Sequence, residues 1–221
     1  MGEQVHAPVT AYPAQAGGET GATPAGLRER KKALAMRRIQ QVAIELFERD
    51  GFAAVSVEQV AEAAEVSPSS VYRYFGTKEG LVVHDEHDAV LLALAPSLLA
   101  EHDLVTAFDL GLRLIGAEHG IDLERTRRRT RLWFTVPSIR AAGLLMADEM
   151  TDALAHLASS GPRADHTFSQ ARVVVGSLVG AVMAALHQWY DDGMPEDMVD
   201  RMLEAVATVR QAMSRPTGPP Q

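Results

Sequence analysis

The stretch Ser56-Val57-Glu58-Gln59-Val60-Ala61-Glu62-Ala63-Ala64-Glu65-Val66-Ser67-Pro68-Ser69-Ser70-Val71-Tyr72-Arg73-Tyr74-Phe75 decides the fold. It holds two helix starts in close succession. Ser56 followed three residues on by Gln59 is a capping box, in which hydroxyl and amide satisfy each other's backbone N–H. Val57, Val60, Ala61 and Ala64 then repeat at the spacing of one helical face. Ser67-Pro68 is the second start: a serine N-cap, then a proline where the helix has no use for an N–H. Val66, Val71 and Phe75 anchor this helix inward, and Gly76-Thr77 ends it. Two short helices joined by a turn of three or four residues form a helix-turn-helix unit. In such a unit the first helix crosses the phosphate backbone and the second enters the major groove.

Working outward, Ile39, Val42, Ala43, Leu46 and Phe47 form the stripe of a preceding helix, with Gly51 suited to its left-handed stop. Downstream, Thr77 caps a fourth helix from Lys78 to about Leu94, ended near Pro96. Further helices are expected at about 103–118, 122–135, 137–159, 165–191 and 195–213. No run alternates with period two, so the class is all-α. The expected organisation is a disordered tail at 1–25, rich in Ala, Gly, Pro and Thr, and a DNA-binding domain at 26–80. A helical ligand-binding and dimerisation domain follows at 81–214, then a second tail at 215–221.

Charge adds to this. The 221 residues carry a formal net charge of −8, which by itself argues against a nucleic-acid partner. Its distribution reverses the inference. Arg28, Arg30, Lys31, Lys32, Arg37 and Arg38 stand against Glu29 alone at the start of the nearly neutral module, and the acid is concentrated beyond residue 80. This pattern suits local contact with phosphate, or else a solvated, solubilising face. The absence of cysteine excludes a disulfide framework and thiolate chemistry. Val173 to Leu186 is the longest apolar run and falls short of a bilayer span, and no secretory signal opens the chain. A cytoplasmic protein without a membrane partner is expected.

From Ile39 to Leu81 the chain resembles the DNA-binding domain of the TetR family of bacterial transcriptional regulators. The likeness rests on Leu46-Phe47 before Gly51-Phe52, the capped Ser56 to Ala61, Val66 to Phe75, and Lys78-Glu79-Gly80-Leu81. It implies an all-helical homodimer with a ligand-binding C-terminal domain, and a repressor released from its operator by a small molecule. It also implies phosphate contacts from Ser56, Tyr74 and Lys78, and recognition-helix contacts from Ser67, Pro68, Ser69, Ser70, Tyr72 and Arg73. Glu58 is given no DNA contact, because an acid there repels phosphate. The alternative is a helical small-molecule-binding protein or enzyme whose first helices are only structural. No nucleophile elbow or phosphate-binding glycine loop supports an enzyme, and no cofactor is expected.

In the body, Phe108, Leu112, Trp133, Phe134, Met146 and Met150 are the candidate lining of a pocket for an apolar ligand. Val173 to Leu186, apolar almost all round, and the stripe of the final helix are the candidate dimer elements. Gly176, Val179, Gly180, Met183, Met202 and Val206 are the expected interface residues. Arg125, Arg127, Arg128, Arg129 and Arg131 read best as a helix surface paired with nearby acids such as Asp122 and Glu124. The alternative, a clamp for an anionic ligand, would need arginines on one face, and these wrap most of a helix. His84, His87 and Asp88 fall at i, i+3 and i+4 with chemistry suited to zinc or nickel, but an exposed polar run is the preferred reading and no metal is assigned.

Overall fold

The computed structural model describes residues 24–84, 86–118 and 122–214. The two expected tails lie outside the described residues, except that Pro24 and Ala25 already open the first helix. Every element among the described residues is helical: α1 (Pro24–Asp50), α2 (Val57–Ala63), α3 (Pro68–Phe75), α4 (Gly80–Val83), α5 (Glu86–Glu101), α6 (Leu104–Glu118), α7 (Leu123–Thr135), α8 (Pro137–Ser160), α9 (Phe168–Asp191) and α10 (Met198–Ser214).

Two apolar cores organise these helices. The first gathers Ile39, Ala43, Ile44 and Phe47 of α1, Val60 and Ala61 of α2, Val71 and Phe75 of α3, and Leu81 to Val83 of α4. It does not stop at residue 80: Leu132 of α7 and Ile139 of α8 are buried in the same cluster. The second core lies among α5, α6, α8, α9 and α10, around Phe108, Leu154, Ala155, Val175, Leu178 and Val206. A smaller cluster of Trp189, Met194 and Met198 closes the α9–α10 corner. The 24 residues of α8 span about 36 Å. One end of this helix enters the first core and the other the second, so α8 is a beam shared by both.

The expected fourth helix is broken in two. His84 takes an extended conformation (φ −63°, ψ 129°) after only four helical residues. The carbonyls that a continuing helix would use are taken by side chains instead. Arg129 donates to Val82 O at 2.8 Å and to Val83 O at 3.1 Å, and Gln40 Nε2 donates to His84 O at 2.7 Å. Pro96 does not end the next helix but sits inside α5. A proline in that position costs about 3 kcal/mol. Ala95 beside it, and Leu92 and Leu99 on either side, offset this by packing into the second core.

Candidate nucleic-acid interface

The helix-turn-helix is assembled by the caps expected of it. Ser56 Oγ accepts from Gln59 N at 3.2 Å, while Gln59 Oε1 accepts from Ser56 N at 2.7 Å. At the end of α2, Glu65 adopts the left-handed region (φ 58°) and Val66 N donates back to Ala61 O at 2.9 Å. This is the turn that reverses the chain towards α3. Ser67 Oγ caps α3 by accepting from Ser70 N at 3.2 Å. Gly51 and Gly76 both lie at positive φ, 88° and 69°, as helix stops require.

Packing decides which face of α3 is offered outward. Val71 and Phe75 are buried, so Ser67, Pro68, Ser69, Tyr72 and Arg73 stand exposed. The exposed groups are ordered among themselves. The Ser67 hydroxyl lies 2.9 Å from those of Ser69 and Ser70. Arg73 Nη2 donates to Ser70 Oγ at 3.3 Å and to Tyr74 OH at 3.1 Å, with its guanidinium 4.8 Å from the Tyr74 ring centre. Tyr74 is half-buried against the first core. Lys78 rests its ammonium over the Phe52 ring at 4.3 Å, a cation–π contact that holds the charge at the surface. All nine candidate DNA residues therefore fall on α3, its turn, the start of α2 or the approach to α4. Among the described residues, Tyr72 is the only aromatic of the strongly exposed large apolar side chains.

The arginines of α7 divide their roles. Asp122 caps the helix by accepting from Arg125 N at 3.0 Å, and Arg127 lies 3.8 Å from Glu124, as local pairing anticipates. Arg128 and Arg129 reach much further. Arg128 places Nε and Nη2 2.8 and 2.6 Å from Glu48 Oε2 on α1, and Arg129 holds the α4 carbonyls. Arg127 Nε also donates to Met194 O at the α9–α10 corner, at 2.8 Å. So α7 ties the helix-turn-helix module to the far end of α9. Burial, with the Arg129 charge second, pushes the His84 imidazole below its ordinary pKa.

The body separates the six expected ligand residues. Phe108, Leu112 and Met150 share the second core, where Phe108 joins Leu91, Ala95, Leu98, Leu154 and Val175 around a closed-down apolar cleft of about 20 Å³. Trp133 and Met146 pack instead against the first core. The Trp133 ring packs against Gly143, where a Cβ would come within 1.9 Å of it. Phe134 stacks on Tyr190 with ring centres 4.5 Å apart, and lies 4.8 Å from His187. Pro137 opens α8 directly after the extended Val136, so α7 and α8 meet without a longer linker. Among the interface candidates, Gly180 is exposed, Gly176, Val179, Met183 and Met202 are half-buried, and Val206 is wholly buried in the chain's own core, unavailable to a partner. Val173, 69 % exposed, and Ala184 join Gly180 on the outer side of α9. The helix break at His84 removes it from any helical face shared with His87 and Asp88. Among the described residues, no group of three or more His, Asp and Glu side chains is placed to hold a metal.

Residues 39–84 match the model of the bacterial regulatory proteins of the TetR family, and residues 118–214 match that of the MftR C-terminal domain. The HTH-type transcriptional regulator TcmR of Streptomyces glaucescens is 32% identical over 176 residues, covering 75% of this chain and 77% of that protein. The putative mycofactocin biosynthesis transcriptional regulator MftR of Mycobacterium tuberculosis is 25% identical over 165 residues, covering 74% of this chain and 83% of its own length. The fold is shared with SmeT, the repressor of the Stenotrophomonas maltophilia multidrug efflux pump SmeDEF. That match has a TM-score of 0.52 and 16% identity, over 84% of this chain and 96% of SmeT. With the α2–α3 unit capped and presented as described, and with relatives that are regulators along most of their length, the chain belongs to the TetR family of bacterial regulatory proteins and is a DNA-binding transcriptional regulator.

Proposed function

We propose that the protein is a dimeric repressor that leaves its operator when a small apolar ligand enters the body. The outward face of α3 carries this reading. Ser69, Tyr72 and Arg73 are exposed together on a helix whose other face is locked by Val71 and Phe75. Such a helix offers hydroxyls, a phenol and a guanidinium to base edges, while Ser56, Tyr74 and Lys78 stand where phosphates would flank it. Two copies are needed, because successive major grooves lie about 34–36 Å apart and one chain has one such helix.

The outer side of α9 supports the dimer. Val173, Gly180 and Ala184 are uncovered, and the Ser177 hydroxyl turns back to Val173 O at 2.9 Å, which leaves that side apolar. By length and composition α9 is also apolar enough to cross a membrane, with a mean hydropathy of 1.5 in its best window. Its capping box at Thr167 and the ion pairs of Arg172 with Asp148 and Asp152 favour a helix held in a bundle. The apolar lining of the second-core cleft supports an apolar ligand that enters by parting its walls, and the lining it shares with a polar mouth at His102, Arg163 and His166 suits one with a single polar end. The protein acts by binding, not catalysis, in the cytoplasm where its DNA lies. A gel shift on the DNA upstream of its own gene tests the reading: a discrete complex at moderate salt is expected, dissociated by an inducing metabolite. No complex on that DNA or on any genomic fragment would overturn it.

A further inference from the structure

The DNA-facing site described above leaves the His84 side chain without a role, yet it occupies the joint between the recognition helix and the body. The helix break leaves the residue extended, with its carbonyl held by Gln40 of α1. The imidazole is half-buried and turns towards the end of α3. Its ring centre lies 6.3 Å from that of Phe75, and it donates a hydrogen bond to the Phe75 carbonyl. That carbonyl ends the recognition helix, where no following turn is there to bond it, and Thr77 N is its other donor at 2.7 Å. Gly80 makes the contact possible: a Cβ there would collide with the Phe75 carbonyl and stand 3.1 Å from His84 Cδ2.

Two charges act on the same ring. Among the described residues these are Arg129 of α7 and Glu149 of α8, while α1 and α3 turn the uncharged Gln40 and Phe75 towards the joint. Arg129 is already committed to the α4 carbonyls, with Nε on Val82 O and Nη2 on Val83 O. A proton on His84 sets a second cation beside it in a half-buried seam. Burial, then Arg129, opposes that charge, and together they outweigh the Phe75 carbonyl and Glu149, which favour it. The neutral ring is therefore the form that fits. The fit is complete above the ordinary histidine pKa of about 6.5 and is lost progressively as pH falls below it.

We infer that His84 is a positioning residue for the recognition helix, fixing the end of α3 against α4 and the body, and that its protonation releases this contact and weakens recognition of the operator. The inference rests on the DNA-binding reading above and adds a condition to it. When the imidazolium leaves the seam, Phe75 loses a donor and α3 loses one of the ties that set its angle to α7 and α8. Phosphate attraction serves any duplex and tolerates a change of that angle; base readout does not. Acid thus costs specific binding more than non-specific binding.

The test uses the full chain and two fluorescent duplexes, one carrying the DNA retarded in the gel shift above and one of scrambled sequence, titrated by anisotropy at pH 7.5 and 5.5 and one salt concentration. The ratio of the two affinities is the readout, because charge effects common to both duplexes cancel in it. In wild type the ratio is expected to fall several-fold in acid, up to about tenfold, the change one group supplies when its pKa differs by about one unit between bound and free protein. His84→Gln keeps an N–H for the Phe75 carbonyl and has no proton to gain, so its ratio should match wild type at pH 7.5 and hold at pH 5.5. His84→Ala, folded by circular dichroism, should show the low ratio at both. A wild-type ratio that is the same at both pH values, or a His84→Gln ratio that falls alongside it, would overturn the inference and leave the DNA-binding reading intact. A wild-type protein that retards no genomic DNA would overturn both.

Discussion

The outward faces of α3 and α9 are both left uncovered by the rest of the chain, and they are chemical opposites. On α3 the uncovered side chains are hydroxyls, a phenol and a guanidinium, cross-linked by Ser67, Ser70, Arg73 and Tyr74 contacts. Along residues 173–184 of α9 they are Val173, Gly180 and Ala184, and the Ser177 hydroxyl among them is turned back onto its own helix. A polar face held in order suits a hydrated, charged partner; an apolar face with small residues suits a packed one. Exposure alone says only that something is missing; its chemistry says what.

Substitution at Gly180 should break this contrast most severely. No atom lies within 4 Å of where a Cβ would stand, so leucine fits the single chain and improves helix propensity by about 1 kcal/mol. Across a two-fold interface the same leucine meets its copy, an overpacking cost of about 1–3 kcal/mol for each subunit. Gly180→Leu should therefore remain folded by circular dichroism, yet turn monomeric in analytical ultracentrifugation and lose operator binding with it. A dimer with full affinity would move the interface off this face.

The α3 face should respond the other way. Tyr72→Ala and Arg73→Ala are expected to keep dimer and fold, and to lose about 1–3 kcal/mol of discrimination between operator and scrambled DNA. Gly143→Ala sharpens the contrast from between the two faces. Its Cβ collides with the Trp133 ring, which packs on the first core. A stability loss of about 1–3 kcal/mol in a denaturant melt is expected, with weaker DNA binding because the tryptophan supports the module. Arg128→Ala removes a half-exposed pair with Glu48 and should cost no more than about 1 kcal/mol of stability. The smallest effect concerns pH. His84 has a lowered pKa in the folded chain. The unfolded chain therefore takes up its proton first, and stability is highest above the ordinary histidine pKa of about 6.5 and falls as pH drops below it. Chemical denaturation at pH 7.5 and 5.5 should differ less in His84→Phe than in wild type.

The parts of the molecule legible in the sequence are those governed by neighbours a few residues apart. Ser56 with Gln59, Ser67 with Pro68, and Gly51 after Asp50 act within one helical turn, so α2, α3 and the end of α1 could be placed from their order, and with them which residues of α3 face outward. The break at His84 could not, because it depends on Gln40 and Arg129, each more than forty residues away. Trp133 and Phe134 carried the composition of a ligand pocket, but Trp133 is seated against Gly143 on the next helix and Phe134 against Tyr190 on α9, contacts that local order does not reveal. Val206 lies on an apolar stripe as expected; only the packing of α6, α9 and α10 decides that this position looks inward. Arg128 offered the weakest signal, since its partner Glu48 is 80 residues distant while acids closer in sequence were available.

The burial of Leu132 and Ile139 alongside Phe47 and Phe75 bears on how such regulators can be recombined. A cut near residue 84 would strip the reading head of two apolar walls and expose Val82 and Val83 carbonyls now held by Arg129. Chimaeras that graft the first 84 residues onto a foreign sensor would inherit an open seam unless α7 and the start of α8 travelled with them. Exchanging the exposed residues of α3, by contrast, disturbs none of these walls. On the proposed reading of α3, new operators are within reach of a few surface changes, whereas new pairings of head and sensor require the α7–α8 corner to be rebuilt.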